Sequence, residues 1–346
     1  MSSLPAAPSL LRDPTRLRWG WFLVACAVLL ASAVAGITVG PAGLTPGQVI
    51  GELAGGGSGL SGTQQAIIWD IRLPRVVLGG LVGSLLSLAG ASYQGVFRNP
   101  LADPYLLGVA AGGGLGATAV IVLWPSADSR LLPLAAFAGA LAAAGLTYAV
   151  GRSVGGRSAV SLILAGVAVA AFFTALQTFV LQRNSETIRQ VYSWILGRLA
   201  TTGWQEVLVM VPYALVCGAG LMLHRRLLDV LSVGDEEAES LGVSSARVRT
   251  TVVVLATLAT AAAVAVSGLI AFVGLVVPHT VRLLVGTSYR SLIPISAVTG
   301  GAFLILADMA ARTVLSPLEL PIGVITAFIG APFFMMVLRT SRRYVT

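Results

Sequence analysis

The sequence contains no lysine, and only 10% of its 346 residues are charged. A soluble domain carries about 25% charged residues, so this composition excludes an ordinary soluble enzyme. Without lysine the chain cannot form the phosphate-binding loop GxxxxGK[ST], so any ATP that drives this protein must be hydrolysed by another chain. The two histidines, His224 and His279, cannot form a metal site alone, and Cys26 and Cys217 lie in apolar segments that favour plain packing. We expect neither a cofactor nor a metal.

Long apolar stretches are what the sequence has in excess, because 56% of its residues are hydrophobic. About 20 apolar residues cross a bilayer, and proline and glycine are tolerated in such helices. The stretches that contain no charged residue are 19–51, 76–97, 104–127, 131–151, 158–182, 207–224, 250–281, 291–307 and 320–338.

The stretch 250–281 is too long for a single crossing. Gly268 and Pro278 divide it into a span that ends near Ser267 and a shorter one from Gly268 to about Gly286. The sequence therefore predicts an all-α integral membrane protein, a polytopic bundle of about ten transmembrane helices between residues 19 and 338.

The arginines predict the orientation of the bundle. If residues 1–18 are cytoplasmic, ten crossings leave seven of the 22 arginines outside: Arg72, Arg75, Arg130, Arg183, Arg189, Arg198 and Arg312. This bias agrees with the positive-inside rule, so the basic residues indicate topology and not a nucleic-acid partner. We expect cytoplasmic tails at 1–18 and 339–346, a Gly-rich external loop at 40–70 and the longest cytoplasmic loop at 225–249.

Three segments resemble one known family. The first contains Arg72-Leu-Pro-Arg75, Gly90-Ala-Ser-Tyr-Gln94, Asn99-Pro-Leu-Ala-Asp-Pro104 and Leu107-Gly108, and the second contains Gly234-Asp-Glu-Glu-Ala238 with Ser240-Leu-Gly-Val243. The third runs from Gly268 to His279 with Arg282, followed by Ala307-Asp308, Arg312, Glu319-Leu-Pro-Ile-Gly323 and Gly330-Ala-Pro-Phe333. In this order, from about residue 66 to the C-terminus, they resemble the FecCD-type permeases, the membrane subunits of type II ABC importers for iron-siderophores, haem and cobalamin.

The resemblance implies the type II ABC importer permease fold and a set of partners. These are a second permease subunit, identical or homologous, two cytoplasmic ATPase subunits and an external substrate-binding protein. The chain itself would be a transport subunit without an ATPase site, in the cytoplasmic (inner) membrane of a bacterium. A ferric siderophore is the first expectation for the cargo, and cobalamin or haem are the alternatives within the same family.

Arg72, Arg75 and Arg312 are predicted on the outside, against the positive-inside bias. The resemblance implies that they receive acidic residues from the two lobes of the binding protein, and a guanidinium suits this because it binds a carboxylate bidentately. The alternative is local pairing, of Arg72 with Asp70 and of Arg312 with Asp308 four residues earlier, where an ion pair is worth about 0.3–0.5 kcal/mol.

The resemblance also implies an ATPase-coupling element in the cytoplasmic loop. Its residues are Gly234, Asp235, Glu236, Ala238, Leu241, Gly242 and Val243. The sequence from Gly234 to Val248 predicts two short helical pieces, with a break at Gly242 and Ser244 as N-cap of the second. The alternative is a solvated helix pair without a coupling role.

The transport pathway is only weakly marked. The segment 99–104 predicts a turn, and it makes Asn99, with Gln94, a candidate for the cytoplasmic end of the pathway. The resemblance places the fifth and tenth spans along the pathway, which makes its candidate residues Thr174, Gln177, Thr178, Thr326 and Phe333. Such small polar residues are equally common at helix interfaces. Glu319 is expected to interact with the N-terminus of the last helix.

Two other classes of membrane protein fit the sequence less well. A secondary transporter usually needs ionisable residues within the membrane, but only Asp308 approaches a span interior and Arg312 is available as its partner. A membrane enzyme of the prenyl- or phosphate-transferase kind would need an aspartate-rich metal motif, and the acidic residues at 235–239 lack the spacing that holds magnesium.

Overall fold

The computed structural model describes residues 17–40, 43–55, 59–126, 128, 130–153, 159–199 and 203–341, and within them the regular structure is entirely helical. Ten helices of 13 or more residues form the bundle in the described part of the chain: α1 (Trp19–Thr38), α4 (Leu73–Val96), α5 (Val109–Leu123), α6 (Leu131–Ser153), α7 (Ala159–Gln182), α9 (Gln205–Val233), α11 (Ser245–Ser267), α12 (Val273–Val285), α13 (Tyr289–Thr313) and α14 (Ile322–Ser341). Four short helices connect them: α2 (Pro46–Leu53), α3 (Gly62–Ala66), α8 (Ile188–Ile195) and α10 (Asp235–Ser240). The predicted bundle of about ten helices is confirmed.

Helices α4, α11 and α13 form the centre of the bundle. Between 67% and 78% of their most apolar windows is buried, against 22% to 28% for α1, α6, α7 and α9. Glycine permits the closest contacts: a Cβ at Gly83 would lie 2.2 Å from the carbonyl oxygen of Gly300, and one at Gly112 would lie 2.2 Å from that of Gly139. These glycines therefore let helix backbones touch, as small residues do in membrane bundles.

The segment predicted as an external loop at 40–70 is largely helical in its described part. Helices α2 and α3 each begin with a capping box, formed by Thr45 with Gln48 and by Ser61 with Gln64. A π-helical stretch, Ile67–Arg72, then leads directly into α4. The prediction of a plain loop overlooked the S/T-x-x-Q pattern that both capping boxes share.

The long stretch 250–281 is divided as predicted at Gly268, which has a φ of +70°. Helix α11 ends at Ser267, and α12 begins at Val273 after a non-helical link. Pro278 therefore lies inside α12 and does not end a helix. The last helix continues to Ser341, past the boundary expected at 338. The outer parts of both predicted tails, 1–16 and 342–346, lie outside the described residues.

The bundle has two ends, which we name after one residue at each. The Arg75 end contains the last turn of α1, the first turn of α4 and the last turns of α13. The Asp235 end contains the C-terminus of α4, α10 and the first turn of α11. The start of α1 also lies at this end, because the backbone N–H of Arg18 donates to Ser291 Oγ beside the first turn of α13.

Candidate functional site

A network of buried charges lies at the Arg75 end. Asp308, only 3% exposed, accepts hydrogen bonds from Arg75 Nη2 at 2.9 Å and from Arg312 Nε at 3.0 Å. The predicted pair between Asp308 and Arg312, four residues apart on α13, is therefore confirmed. Arg75 comes from α4, so the network also joins two helices, and Asp308 is partnered twice at a depth where a lone carboxylate would be costly.

Glu319 binds the other side of Arg75. Its Oε2 lies 2.9 Å from Arg75 Nη2 and its Oε1 lies 3.3 Å from Arg75 Nη1. The prediction that Glu319 interacts with the N-terminus of the last helix is wrong, because α14 begins three residues later and the carboxylate points to Arg75. The side chain of Glu319 is 53% exposed, which makes this the outer ion pair of the network.

Arg72 differs from the other two predicted docking arginines. It is only 5% exposed, and its Nη1 donates to the carbonyl oxygens of Ile37 at 2.6 Å and Thr38 at 2.9 Å. The last carbonyls of a helix have no partner within the helix, and a cation is favourable there, so Arg72 caps the C-terminus of α1. The alternative pairing with Asp70 does not occur in the structure, and the docking role of Arg72 stays a prediction.

Arg312 also supports the end of α1. Its Nη2 donates to the carbonyl oxygen of Gly36 at 3.0 Å, while its Nε holds Asp308. Arg312 and Arg72 therefore fix the last turn of α1 beside the network. Of the three predicted docking arginines, Arg75 is the one that contacts an exposed carboxylate.

Two cavities share lining residues near Arg75. The first, of about 150 Å³, is lined by Arg75, Asp308, Glu319, Ser193 and Arg198, among others. The second, of about 480 Å³, shares Ser193 and Arg198 and is also lined by Glu186, Arg189, Gln190 and Trp194. Arg198 belongs to the arginines predicted outside, but no motif singled it out.

At the Asp235 end, α10 is a short acidic helix with one buried face. Ala238 is fully buried, whereas Glu236, Leu241 and Gly242 are exposed. The chain reverses at Gly242, which has a φ of +76°, and the backbone N–H of Val243 donates to the carbonyl oxygen of Ala238. The break predicted at Gly242 is confirmed.

The rest of the predicted loop at 225–249 belongs to long helices. Residues 225–233 form the end of α9, and the second helical piece is the first turn of α11. Ser244 occupies the N-cap position of α11, but its side chain makes no capping hydrogen bond. The segment predicted as the coupling element is therefore, in the described residues, one short helix between two long ones.

Asp235 fixes α10 to the bundle. It accepts hydrogen bonds from Arg98 Nη2 and from Arg249 Nη2. Arg98 also donates from Nε to the carbonyl oxygen of Leu231 in α9, at 2.8 Å. Arg98 and Arg249 were not predicted, because their partner lies 137 and 14 positions away.

The predicted pathway residues of α7 do not share one face. Thr174 and Thr178 are exposed, and Thr178 Oγ1 donates to the carbonyl oxygen of Thr174. Gln177 is buried on another side of the helix, where its Nε2 donates to Thr118 Oγ1 at 2.8 Å. Gln177 therefore serves the contact between α5 and α7 in this conformation.

The remaining pathway candidates are scattered. Thr326 is fully buried and donates to the carbonyl oxygen of Gly323, and Phe333 meets the edge of the His279 ring. Gln94 is buried and its Oε1 accepts from Arg282 Nη2 at 2.8 Å. Asn99 Oδ1 accepts from the backbone N–H of Leu101, which confirms the predicted turn.

The turn at Asn99 continues into a segment that contacts the link between α11 and α12. The hydroxyl of Tyr105 donates to the carbonyl oxygen of Ile270 and accepts from its N–H, both at 3.0 Å. A Cβ on Gly274 would lie 2.3 Å from Pro104, so the backbone of α12 needs glycine at this contact. The sequence motifs around Pro104 and Gly274 thus mark one packed joint.

The comparisons with known proteins agree with the motifs. The model of the FecCD transport family matches residues 27–340. The chain is 45% identical over 281 residues to the cobalamin import system permease protein BtuC of Halobacterium salinarum, which covers 81% of this chain and 75% of that protein. It is 40% identical over 286 residues to the iron(3+)-hydroxamate import system permease protein FhuB of Bacillus subtilis, which covers 81% and 73%.

A solved structure shows the same architecture. A transporter described as of the metal-chelate ABC type, in an inward-facing conformation, matches with a TM-score of 0.83 and 30% identity over 92% of this chain and 98% of that one. A second match, PsaBC from Streptococcus pneumoniae, has a TM-score of 0.54 and 15% identity, which shows the fold alone. The chain is a multi-pass membrane protein and belongs to the FecCD transport family of ABC importer permeases.

Proposed function

We propose that this permease carries a ferric siderophore from a binding protein at its Arg75 end to its Asp235 end, where separate ATPase subunits bind. The observation that carries the proposal is the contrast between the ends: a cavity lined by Arg75 and Arg198 opens at one end, and an acidic helix is exposed at the other. In this orientation the Arg75 end is external, and both termini are cytoplasmic, in the cytoplasmic (inner) membrane of a bacterium.

The Arg75 end suits a partner that carries carboxylates. Arg75 and Arg198 line one cleft, and Arg312 lies behind it on α13. Charged groups of this kind steer association and set the orientation of a docked partner. Arg72 contributes to the docking surface indirectly, by holding the end of α1.

The Asp235 end suits a partner that moves during ATP hydrolysis. The ATPase surface proposed here is α10 with Leu241 and Gly242, which present exposed groups between the ends of α9 and α11. Asp235 ties this helix to α4 and α11 through Arg98 and Arg249. A helix held in this way transmits a displacement to the bundle, whereas a flexible loop would dissipate it.

A second permease subunit, identical or homologous, would complete the pathway. Helix α14 carries the exposed apolar side chains of Phe328, Ile329, Met335 and Met336. On α7, Thr174 and Thr178 are exposed. We place the partner permease against α14 and the pathway between the two subunits. The packing contacts of Gln177 on α7, and of Thr326 and Phe333 on α14, would then set the positions of these two helices. Gln94 and Asn99 would lie near the cytoplasmic exit.

Cobalamin is the second candidate cargo, because the relative with 45% identity is a cobalamin permease. The cargo can be tested in a strain that lacks this gene and carries it on a plasmid. We expect the plasmid to restore uptake of an iron-55 siderophore and growth on that siderophore as the iron source. If the plasmid restores only cobalamin or haem uptake, the siderophore assignment is contradicted. If it restores uptake of none of the three cargoes, the assignment as an importer is contradicted.

A further inference from the structure

Arg75 has only one of its five N–H donors left for a docking partner, on Nη1. Its Nε and Nη2 donate to Asp308, and its Nη1 and Nη2 donate to Glu319. Its side chain is only 14% exposed. A carboxylate from another protein can therefore form two hydrogen bonds with Arg75 only by replacing one of these two.

The two carboxylates differ in how easily they can leave. Asp308 is buried and is also held by Arg312, so its departure would strand two arginines in a desolvated position. Glu319 is half-exposed, and Arg75 is its ion-pair partner in the described part of the chain. Exposed ion pairs are worth about 0–1 kcal/mol, so Glu319 is the group that an incoming carboxylate can displace.

A further arginine lines the same cavity. Arg198 lines the cavity of about 150 Å³ together with Arg75 and Glu319, and it is exposed. Its backbone N–H is fixed by the carbonyl oxygen of Ser267 at 2.8 Å, which anchors the residue at the end of α11. Among the described residues its guanidinium forms no ion pair.

We infer that a carboxylate of the binding protein enters the cleft between Arg75 and Arg198 and that Glu319 occupies this place until docking. This inference rests on the proposed function. The incoming group takes the two hydrogen bonds of Arg75 from Glu319 and gains Arg198 as a second cation. Glu319 turns into water and returns when the binding protein leaves.

The exchange accounts for a docking site that must both bind and release. Because one carboxylate replaces another on Arg75, the number of charge-assisted hydrogen bonds there is conserved, and Arg75 itself adds little net affinity. The net gain comes from Arg198, whose guanidinium forms no ion pair with the described residues before docking.

The test uses the full permease–ATPase complex in nanodiscs and the substrate-binding protein of the same transporter. We expect E319Q to lower the dissociation constant about two- to fivefold, since the neutral amide competes poorly for Arg75. We expect R198Q to raise it by a similar factor. The matched control is E186Q, which removes a carboxylate from the neighbouring cavity without touching Arg75, and its effect should be clearly smaller.

An equal fall of the dissociation constant in E319Q and E186Q would mean that only net charge matters, and it would overturn the inference. An unchanged or higher dissociation constant in E319Q would also overturn it. Phenylglyoxal modifies arginine side chains, and its rate can be measured in the same complex without the binding protein. Arg75 should be modified several times faster in E319Q than in the wild type, and an unchanged rate would show that Glu319 does not occupy Arg75. If R75Q and R198Q both bind the partner normally, the proposed docking itself fails.

Discussion

Arg98 and Asp235 are 137 positions apart in the sequence and form an ion pair at the Asp235 end of the bundle. Arg98 follows the last turn of α4 with a φ of +48°, an unusual backbone conformation for a residue with a side chain. This conformation directs its guanidinium to both Asp235 and the carbonyl oxygen of Leu231. The short helix α10 is therefore held by the central helix of the bundle.

Asp235→Asn should weaken coupling without removing the permease from the membrane. The change turns the ion pairs with Arg98 and Arg249 into weaker hydrogen bonds from a charged guanidinium to a neutral amide oxygen, so α10 moves more independently of α4 and α11. We expect ATP hydrolysis by the assembled complex to continue while the amount of cargo moved per ATP falls several-fold.

The matched control is Glu236→Gln, which removes a charge from the exposed face of the same helix without touching Arg98 or Arg249. Its transport per ATP should fall less than that of Asp235→Asn. A ratio that is unchanged in Asp235→Asn would show that the ion pair has no part in coupling.

Replacing residues 236–241 by a Gly/Ser linker is a stronger test of the same helix. The variant should insert and fold, because the replaced segment lies outside the long helices and buries only Ala238. We expect uptake to be lost while the ATPase subunits hydrolyse ATP without productive transport. Normal uptake by a well-expressed linker variant would show that α10 is only a solvated connection.

Asp308→Ala should destabilise the Arg75 end strongly. It leaves Arg75 and Arg312 buried without their shared carboxylate, and breaking a buried ion pair typically costs about 3–5 kcal/mol. Glu319→Ala removes an exposed partner of the same arginine and should cost about 1 kcal/mol or less. Thermal unfolding in detergent compares the two variants, and equal losses of stability would contradict the buried network.

Gly83→Val should separate α4 from α13. A Cβ at Gly83 would lie 2.2 Å from the carbonyl oxygen of Gly300 and 2.8 Å from Leu304, a clash with backbone that no rotamer relieves. The control is Gly145→Val on α6, where a Cβ meets nothing within 4 Å. We expect Gly83→Val to lose its monodisperse peak in size-exclusion chromatography and Gly145→Val to keep it.

The number of helices could be predicted because each crossing needs an apolar stretch of nearly fixed length. The i,i+4 pair of Asp308 and Arg312 followed from helix geometry in the same way. The interaction of Arg75 with Asp308 could not be predicted, because the two residues are 233 positions apart and meet only when α4 packs on α13.

Local sequence patterns gave wrong predictions where burial determines the direction of a side chain. Arg72 and Arg75 stand in one short motif, yet Arg72 faces the end of α1 and Arg75 faces α13. Thr174, Gln177 and Thr178 are close in sequence, but a helix turns Gln177 toward α5 and leaves the threonines exposed. The helices within 40–70 were predictable from their capping boxes, which the high glycine content obscured.

Uptake by proteoliposomes assembled from purified parts tests most directly whether this chain is an importer subunit driven by separate ATPases. The chain alone should neither hydrolyse ATP nor accumulate an iron-55 siderophore. With its ATPase subunits, and with the binding protein and ATP supplied on opposite sides of the membrane, it should accumulate the siderophore only when all parts are present. ATP hydrolysis by the chain alone, or equal uptake without the ATPase subunits, would contradict the account.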